Sequence, residues 1–288
     1  MNNMVRFITE DGSAFVHIVD STNIVRKMRE FHHTSATASA ALGRCLTVAS
    51  LMGAGLMKDG NTLTLQIKGD GPIGGIVVVS DWNGNVRGYC DNPKADLPEN
   101  RSGKLDVGGL IGSDGALYVI KDLGMDRPYI GQVPLKTGEV AEDIVEYYAV
   151  SEQIPTVCAL GVLVDTDLSI RCAGGLLLQL LPGALDSSID IIEKNINNLP
   201  NISSLLDCGK NPYDIADLVF HGLAYHKLDD FNVEYRCTCS RERMERVLIS
   251  LGKDELNRLA DEQDNTEIVC HFCGKKYSFS SSDLINLI

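Results

Sequence analysis

Two hydrophobic periods take turns along the chain, one of about 3.6 residues and one of 2, and the switches between them outline its elements. After a short strand-like start, "TSATASAALGRCLTVASLMGAGL" (34–56) is rich in Ala and Leu, opens on Thr and Ser suited to an N-cap, and ends in Gly. It predicts a helix. "NTLTLQIKGD" then places Leu63, Leu65 and Ile67 at every second position, the pattern of a half-buried strand. The β-branched run of "GGIVVVSDWNGNVRGYC", interrupted at Asn83-Gly84, predicts a hairpin. Further strands are expected near 116–121 and 129–135. In "TGEVAEDIVEYYAVSEQI" (137–154), Val140, Ile144 and Tyr148 share one helical face, with Thr137 as the expected cap and Pro155 as the stop. "TVCALGVLVDTDLSIRCAGGLLLQLLPGA" reads as two apolar strands joined by a turn at Asp165 to Asp167, which closes the strand-rich part near Pro182.

From 186 to 231 the pattern changes to short helical pieces, "DSSIDIIEKNINNL", "ISSLLDCGK" and "PYDIADLVFHGLAYH", punctuated by Asn-Leu-Pro at 198–200 and Asn-Pro at 211–212. Isolated helices below ~12–15 residues are marginal in water, so these pieces need a surface to lie on. The last segment has a small pattern of its own. Ser240 is placed to cap "RERMERVLISLG", a second helix "KDELNRLAD" follows, and "EIVCHFC" and "KKYSFS" are strand-like. The expected fold class is α+β: a strand-rich body with helices at 1–182, a helical linker at 183–231, and a small C-terminal domain at 232–288.

Composition adds bounds. At 288 residues, two domains are expected from the usual ~100–200 residues per domain. Apolar residues at 44% and charged residues at 23% are ordinary for a globular protein, so neither disorder nor a membrane span is indicated. The longest apolar run, "GGLLLQLLPG" at 174–183, is broken by Gln179 and falls far short of the ~20 residues a bilayer requires. "MNNMVRFITEDGS" has acidic residues where an export signal has a basic start and an apolar stretch, so a cytoplasmic protein without a membrane partner is expected. A net charge of −13 disfavours nucleic acid as a partner.

Nine cysteines in such a chain argue for reduced thiols engaged in metal or redox chemistry rather than a disulfide scaffold. Four of them form two close pairs, Cys237 with Cys239 and Cys270 with Cys273, separated by 30 residues. Zinc takes four soft or borderline ligands in a tetrahedron, and two thiolate pairs from separate knuckles supply them with no open position. The piece from Cys237 is only 52 residues long, a size at which a hydrophobic core is thin and a structural zinc, worth roughly 10–16 kcal/mol of apparent binding free energy, decides folding. With 7 Lys and Arg against 9 Asp and Glu, this piece lacks the basic footprint of a phosphate reader. Four thiolates also leave no position for a catalytic water.

Several of these stretches together resemble the heat shock protein 33 family, the redox-regulated 33 kDa chaperonins of bacteria. The resemblance runs through "ATASAALGRCLTVASLMGAGL", "GDGPIGGIVVVSDWNGNVRGY", "SEQIPT", "AGGLLLQLLPGA" and the C-x-C, 30 residues, C-x-x-C arrangement with "CSRERMERVLISLGKDEL" behind the first pair. It implies one zinc ion per chain held by Cys237, Cys239, Cys270 and Cys273. It implies an ATP-independent holdase, inactive while reduced and zinc-bound, switched on by oxidants with unfolding stress. Unfolded or partly folded client proteins are the implied partners, with a homodimer in the active form. Four cysteines allow three pairings; the resemblance implies that neighbours pair, Cys237 with Cys239 and Cys270 with Cys273.

Other features are read more plainly. "GDGPIG" at 69–74 matches G-x-G-x-x-G, but a strand rather than a helix follows, so a tight connection between strands is expected in place of a nucleotide site. His271 lies between two cluster cysteines and is expected to face solvent; His32 and His33 are expected at the surface or in a cap. Cys45, Cys90, Cys158 and Cys172 lie in apolar contexts and are expected to be buried and inert, whereas Cys208 lies in the polar, breaker-rich linker. No Ser/His/Asp order or isolated carboxylate pair stands out, so no catalytic machinery is expected. The rival readings are a zinc-ribbon nucleic-acid or ribosome-associated protein, against which composition argues, and a thiol-disulfide oxidoreductase, against which the late C-x-x-C without a βαβ context argues.

Overall fold

The computed structural model describes residues 3–55 and 58–287; the expected helix end at Leu56 lies outside these, as do the outermost residues of the expected body and C-terminal domain. Two compact units result, Met1–Tyr235 and Arg236–Ile288.

The first unit opens with a hairpin of β1 (Met4–Thr9) and β2 (Ala14–Asp20), followed by α1 (Thr22–His32) and α2 (Ala36–Gly53). Ser35 caps α2, its Oγ accepting the Ala38 N–H at 3.1 Å. Every α2 residue except Ala36 and Arg44 is buried. A helix apolar all round has to be enclosed, and α2 packs against two sheets.

One sheet is formed by β3 (Thr62–Lys68), β4 (Gly75–Asp81) and β5 (Val86–Cys90), then, after the short α3 (Val107–Ile111), by β6 (Ala116–Asp122) and β7 (Tyr129–Pro134). Its order is β5-β4-β3-β6-β7. The period-2 residues face one another in register: Leu65 pairs with Val78 and Val119, and Ile67 with Ile76 and Leu117. All of them belong to the core that includes α2. "GDGPIG" is the connection between β3 and β4, as its β-branched sequel predicts.

The helix expected from 137 begins later, as α4 (Ala141–Tyr147), and widens into a π-helical turn over Tyr148–Glu152. Thr137 does not cap it. The Asp143 carboxylate reaches back to the N–H groups of Lys136, Thr137 and Val140 at 2.7, 3.1 and 3.1 Å, while Thr137 Oγ1 accepts the Glu139 N–H. A charged acceptor inside the first turn outcompetes the hydroxyl.

The second sheet adds β8 (Thr156–Val164) and β9 (Ile170–Leu180) to the first hairpin. β9 is buried on both faces, which is why its sequence runs apolar instead of alternating. One face meets α2. The other contributes Leu176 and Leu178 to a separate core with Ile192, Ile215, Val219 and Phe220, which come from α5 (Asp186–Asn197), α7 (Pro212–Val219) and the residue after it, with α6 (Ile202–Asp207) between.

The last predicted helical piece, 212–226, is helical only to Val219. Residues Tyr225–Phe231 form β10, which pairs with β1 and completes the order β10-β1-β2-β9-β8. Gly222, in the left-handed region at φ +86°, turns the chain between them. Val233 is buried and Tyr235 hydrogen-bonds to Gly88, so the first unit ends at Tyr235, a few residues beyond the expected start of the C-terminal domain at 232.

The second unit contains α8 (Arg241–Ile249), α9 (Lys253–Glu262), the hairpin β11 (Asn265–Val269) and β12 (Lys276–Ser280), and α10 (Ser281–Ile285). Ser240 caps α8 through the Arg243 N–H at 3.3 Å. Leu248, Leu256, Phe279 and Leu284 make a small core, and the Arg241 guanidinium lies 4.3 Å from the centre of the Phe279 ring.

Candidate metal centre

β11 stops at Val269, so "CHFC" is not the strand expected of it; Cys270 starts a tight knuckle. Its carbonyl accepts N–H groups from Cys273 at 3.3 Å and Gly274 at 2.8 Å, and its own N–H reaches the Lys275 carbonyl at 2.9 Å. Gly274 sits in the left-handed region at φ +70°, where a side chain would be strained. The knuckle aims both thiols of C-x-x-C to the same side, toward the C-x-C pair that precedes α8.

The sulfur atoms of Cys237, Cys239, Cys270 and Cys273 all lie within 4.8 Å of one another. Cys237 and Cys270 sulfurs are 3.7 Å apart, Cys239 and Cys273 sulfurs 3.5 Å. A tetrahedron with zinc–sulfur bonds of about 2.3 Å has edges of about 3.8 Å, so the thiols fit that ion with little movement. The donor set is all sulfur, which suits zinc over magnesium or calcium. Cys270 is buried and the other three are half-buried, so the cluster is partly shielded from water and still open to it on one side.

Without an ion, Cys237, Cys239 and Cys273 do not ionise alike. Burial drives the Cys237 and Cys273 pKa values upward. Burial opposes ionisation of Cys239 as well, but hydrogen bonds from Tyr277 and the neighbouring thiols outweigh it and bring its pKa down to about 7. Cys239 is thus shifted toward the thiolate where Cys237 and Cys273 are shifted away from it, and Tyr277, at 3.1 Å, is the donor that singles it out. The sequence placed Tyr277 in a strand but carried no sign that its hydroxyl serves a sulfur. That depends on the β11–β12 register, which sets Tyr277 opposite Ile268.

His271 is exposed and stands outside the sulfur cluster. Cys45, Cys90 and Cys172 are buried and Cys158 is half-buried. Burial raises all four thiols, to about 12 for Cys90 and Cys158 and about 11 for Cys172, so they are inert at neutral pH. Cys208 is exposed at the end of α6. His33 takes the left-handed cap of α1, as a surface cap residue does, and His32 is half-buried with Nε2 at 3.3 Å from the Tyr235 hydroxyl. Among the described residues no helix is long and apolar enough to cross a membrane.

A cluster of four thiols that could hold a metal ion, in a small unit that follows a two-sheet body, fits the class of proteins with a C-terminal zinc-binding domain. The family model of the Hsp33 protein matches residues 2–280. The 33 kDa chaperonin of Clostridium beijerinckii is 45% identical over 100% of this chain and 98% of its own length, and that of Acetivibrio thermocellus is 46% identical over 99% and 96%. The crystal structure of the 33 kDa chaperonin from Thermotoga maritima superposes with a TM-score of 0.90 at 38% identity, covering 100% of this chain and 98% of that one. The chain belongs to the Hsp33 family.

Proposed function

We propose that the protein is a redox-regulated molecular chaperone that holds unfolding proteins without ATP. Reduced, it binds one zinc ion per chain through Cys237, Cys239, Cys270 and Cys273 and is inactive; oxidised, it loses the ion and captures clients. The observation that carries the reading is the sulfur spacing of the cluster, close to a zinc tetrahedron, in a relative of proteins named chaperonins.

Bound zinc would cross-link a unit whose own core is small and keep its thiols deprotonated. Thiolates are the form that oxidants attack. Two neighbouring thiolates, Cys237 with Cys239 or Cys270 with Cys273, give two electrons to one peroxide, which takes up two protons and leaves as two waters while the S–S bond forms. Neighbours pair because short loops close with the least entropy loss. A ring as small as C-x-C is strained, so the bond is readily reduced again. Once the donors are consumed, the second unit loses the interactions that fold it. Residues 183–231 then act as the relay between the switch domain from 232 and the body of 1–182, giving up their packing and exposing apolar surface to clients. The active form is a homodimer in the cytoplasm.

Metal analysis tests the ligand set. The reduced protein is expected to carry one zinc per chain, each Cys-to-Ser variant to lose most of it, and His271→Ala to keep it; undiminished zinc in Cys239→Ser would sink the four-thiolate assignment. Light scattering of an unfolding client, with and without peroxide pretreatment and beside a nucleic-acid shift assay, tests the activity. Nucleic-acid binding without client protection would favour the zinc-ribbon reading instead.

A further inference from the structure

β10 closes one edge of the second sheet with a sequence badly suited to being a strand. "YHKLDDF" contains Lys227, Asp229 and Asp230, and residue types such as these are depleted from sheets. The ladder shifts register between Arg6 and Phe7, skipping Leu228, which is left 48% exposed. Its neighbour β1 is the reverse: Met4, Val5 and Phe7 are buried.

The side-chain contacts of β10 gather at its two ends and at Asp229: Tyr225 packs on Phe220 at 5.3 Å and donates its hydroxyl to Asp217, and Tyr225 and Phe231 each lie against a core. Asp229 pairs with Arg6, the Arg6 guanidinium lies 5.3 Å from the centre of the Phe231 ring, and Tyr225 meets Phe7 edge-on at 5.6 Å. The chain then crosses to the other sheet. Asn3 brackets Val233 with hydrogen bonds of 3.0 and 2.8 Å, the Glu234 carbonyl accepts the Val86 N–H at 3.0 Å, and the Tyr235 hydroxyl donates to the Gly88 carbonyl at 2.9 Å. Cys237 comes two residues later. One continuous segment therefore covers the edge of β1, lies along the start of β5, and leads directly into the thiol cluster.

We propose that β10 is a displaceable plug, and that the β1 edge it vacates takes in an extended segment of a client polypeptide as a replacement strand. The proposal rests on the chaperone reading above and specifies how a client is held. Main-chain hydrogen bonds from β1 are indifferent to sequence, which suits a protein that meets many clients. The register sets a loose preference: apolar residues opposite Val5 and Phe7, and an acidic residue opposite Arg6, whose guanidinium would lose the Asp229 carboxylate and keep its bond to the Ala54 carbonyl at 3.2 Å. An unfolded chain supplies such stretches, and β10 itself meets only the acidic requirement.

Ile8 and His226 are opposite one another in the ladder, half-buried and exposed respectively. A disulfide made by Ile8→Cys with His226→Cys, verified by peptide mapping in the full zinc-loaded chain, pins β10 to β1. After peroxide the stapled protein should release zinc like its parent but bind a permanently unfolded probe, reduced and carboxymethylated lactalbumin, more weakly by on the order of tenfold or more, since several main-chain hydrogen bonds of about 1 kcal/mol each are denied. A second probe keeps the side chains constant. An extended apolar peptide with a central Asp should bind the oxidised parent, and its copy N-methylated at alternate amides should bind at least about tenfold more weakly. Equal binding in either comparison overturns the edge proposal while leaving the chaperone reading standing. A self-dimer abolished by the staple, with probe binding unchanged, assigns the edge to a second copy and also overturns it. An oxidised parent that suppresses aggregation of an unfolding client yet binds neither extended probe overturns the edge proposal alone; one that does neither sinks the chaperone reading and this proposal with it.

Discussion

Tyr277 donates its hydroxyl to the sulfur of Cys239 across 3.1 Å, from a ring that is only 7% exposed. A donor fixed in this way stabilises the thiolate before any ion arrives, and partners of metal ligands typically matter about 10–100-fold in affinity. Tyr277→Phe keeps the ring that packs in the small core and deletes only the donor. Its zinc affinity is expected to fall by on the order of tenfold, read by competition with a chromophoric chelator. An unchanged affinity would mean that the hydroxyl is incidental to the site.

His17 gives a second prediction, far from the cluster in sequence. The ring is buried between β2 and the end of α2, with Nδ1 at 2.8 Å from the Leu51 carbonyl, and burial, helped by the nearby Arg6 charge, lowers its pKa from 6.5 to about 4. The unfolded chain therefore binds more protons between those two values. Stability rises with pH across that window, is fully present above 6.5 and is lost as pH falls toward 4. Going from about pH 7.5 to about pH 5 should cost about 2 kcal/mol through this group alone. Urea unfolding of the first unit's signal in His17→Gln should show that much less dependence on pH; an identical dependence assigns the acid sensitivity elsewhere.

The relay makes a third prediction. The pieces α5, α6 and α7 are short and bury Ile192, Ile202, Leu205, Ile215 and Val219 against a sheet that has a second core on its other face. A ligand bound only by the folded state takes its share of stability with it when it leaves. Hydrogen exchange should show protection lost from 186–288 after peroxide and kept in the strands of 60–180. A linker that stays protected once zinc has left would refute the relay.

What could be read from the sequence follows from how local each signal is. The Leu63, Leu65, Ile67 alternation and the Asn83-Gly84 turn are local, and β3, β4 and β5 lie where they predict. The four cluster cysteines announce themselves in pairs, and the knuckle brings them within 4.8 Å. β10 was illegible because "YHKLDDF" has neither alternation nor β-branched residues; its pairing comes from β1, more than two hundred residues earlier. The cap of α4 differs from the expected one for a related reason: Thr137 is a cap by residue type, but the chain path lets Asp143 collect three N–H groups at once. Tyr277 depends on cross-strand register, which no single stretch records.

Gly161 is where the relay can be tested without an oxidant. It lies in β8 beneath α6, and a Cβ built on it would sit 2.7 Å from the backbone nitrogen of Ser203 and 2.9 Å from its Cβ. Backbone cannot swing aside as a side-chain tip does, so Gly161→Ala has to lift α6 from the sheet. The same stretch would lose the contact between the Cys172 sulfur and the Ser203 carbonyl at 3.2 Å. Overpacking of this kind typically costs about 1–3 kcal/mol, enough to raise the released population by roughly tenfold or more. Because the substitution is remote in sequence from all four cluster cysteines, zinc content should stay at the parent level. The reduced, zinc-loaded variant is therefore expected to suppress client aggregation partially before any peroxide is added, with faster amide exchange across 186–219. A variant that keeps its zinc, exchanges α6 amides faster and yet remains inert toward clients would show that releasing these helices is not what uncovers the client surface.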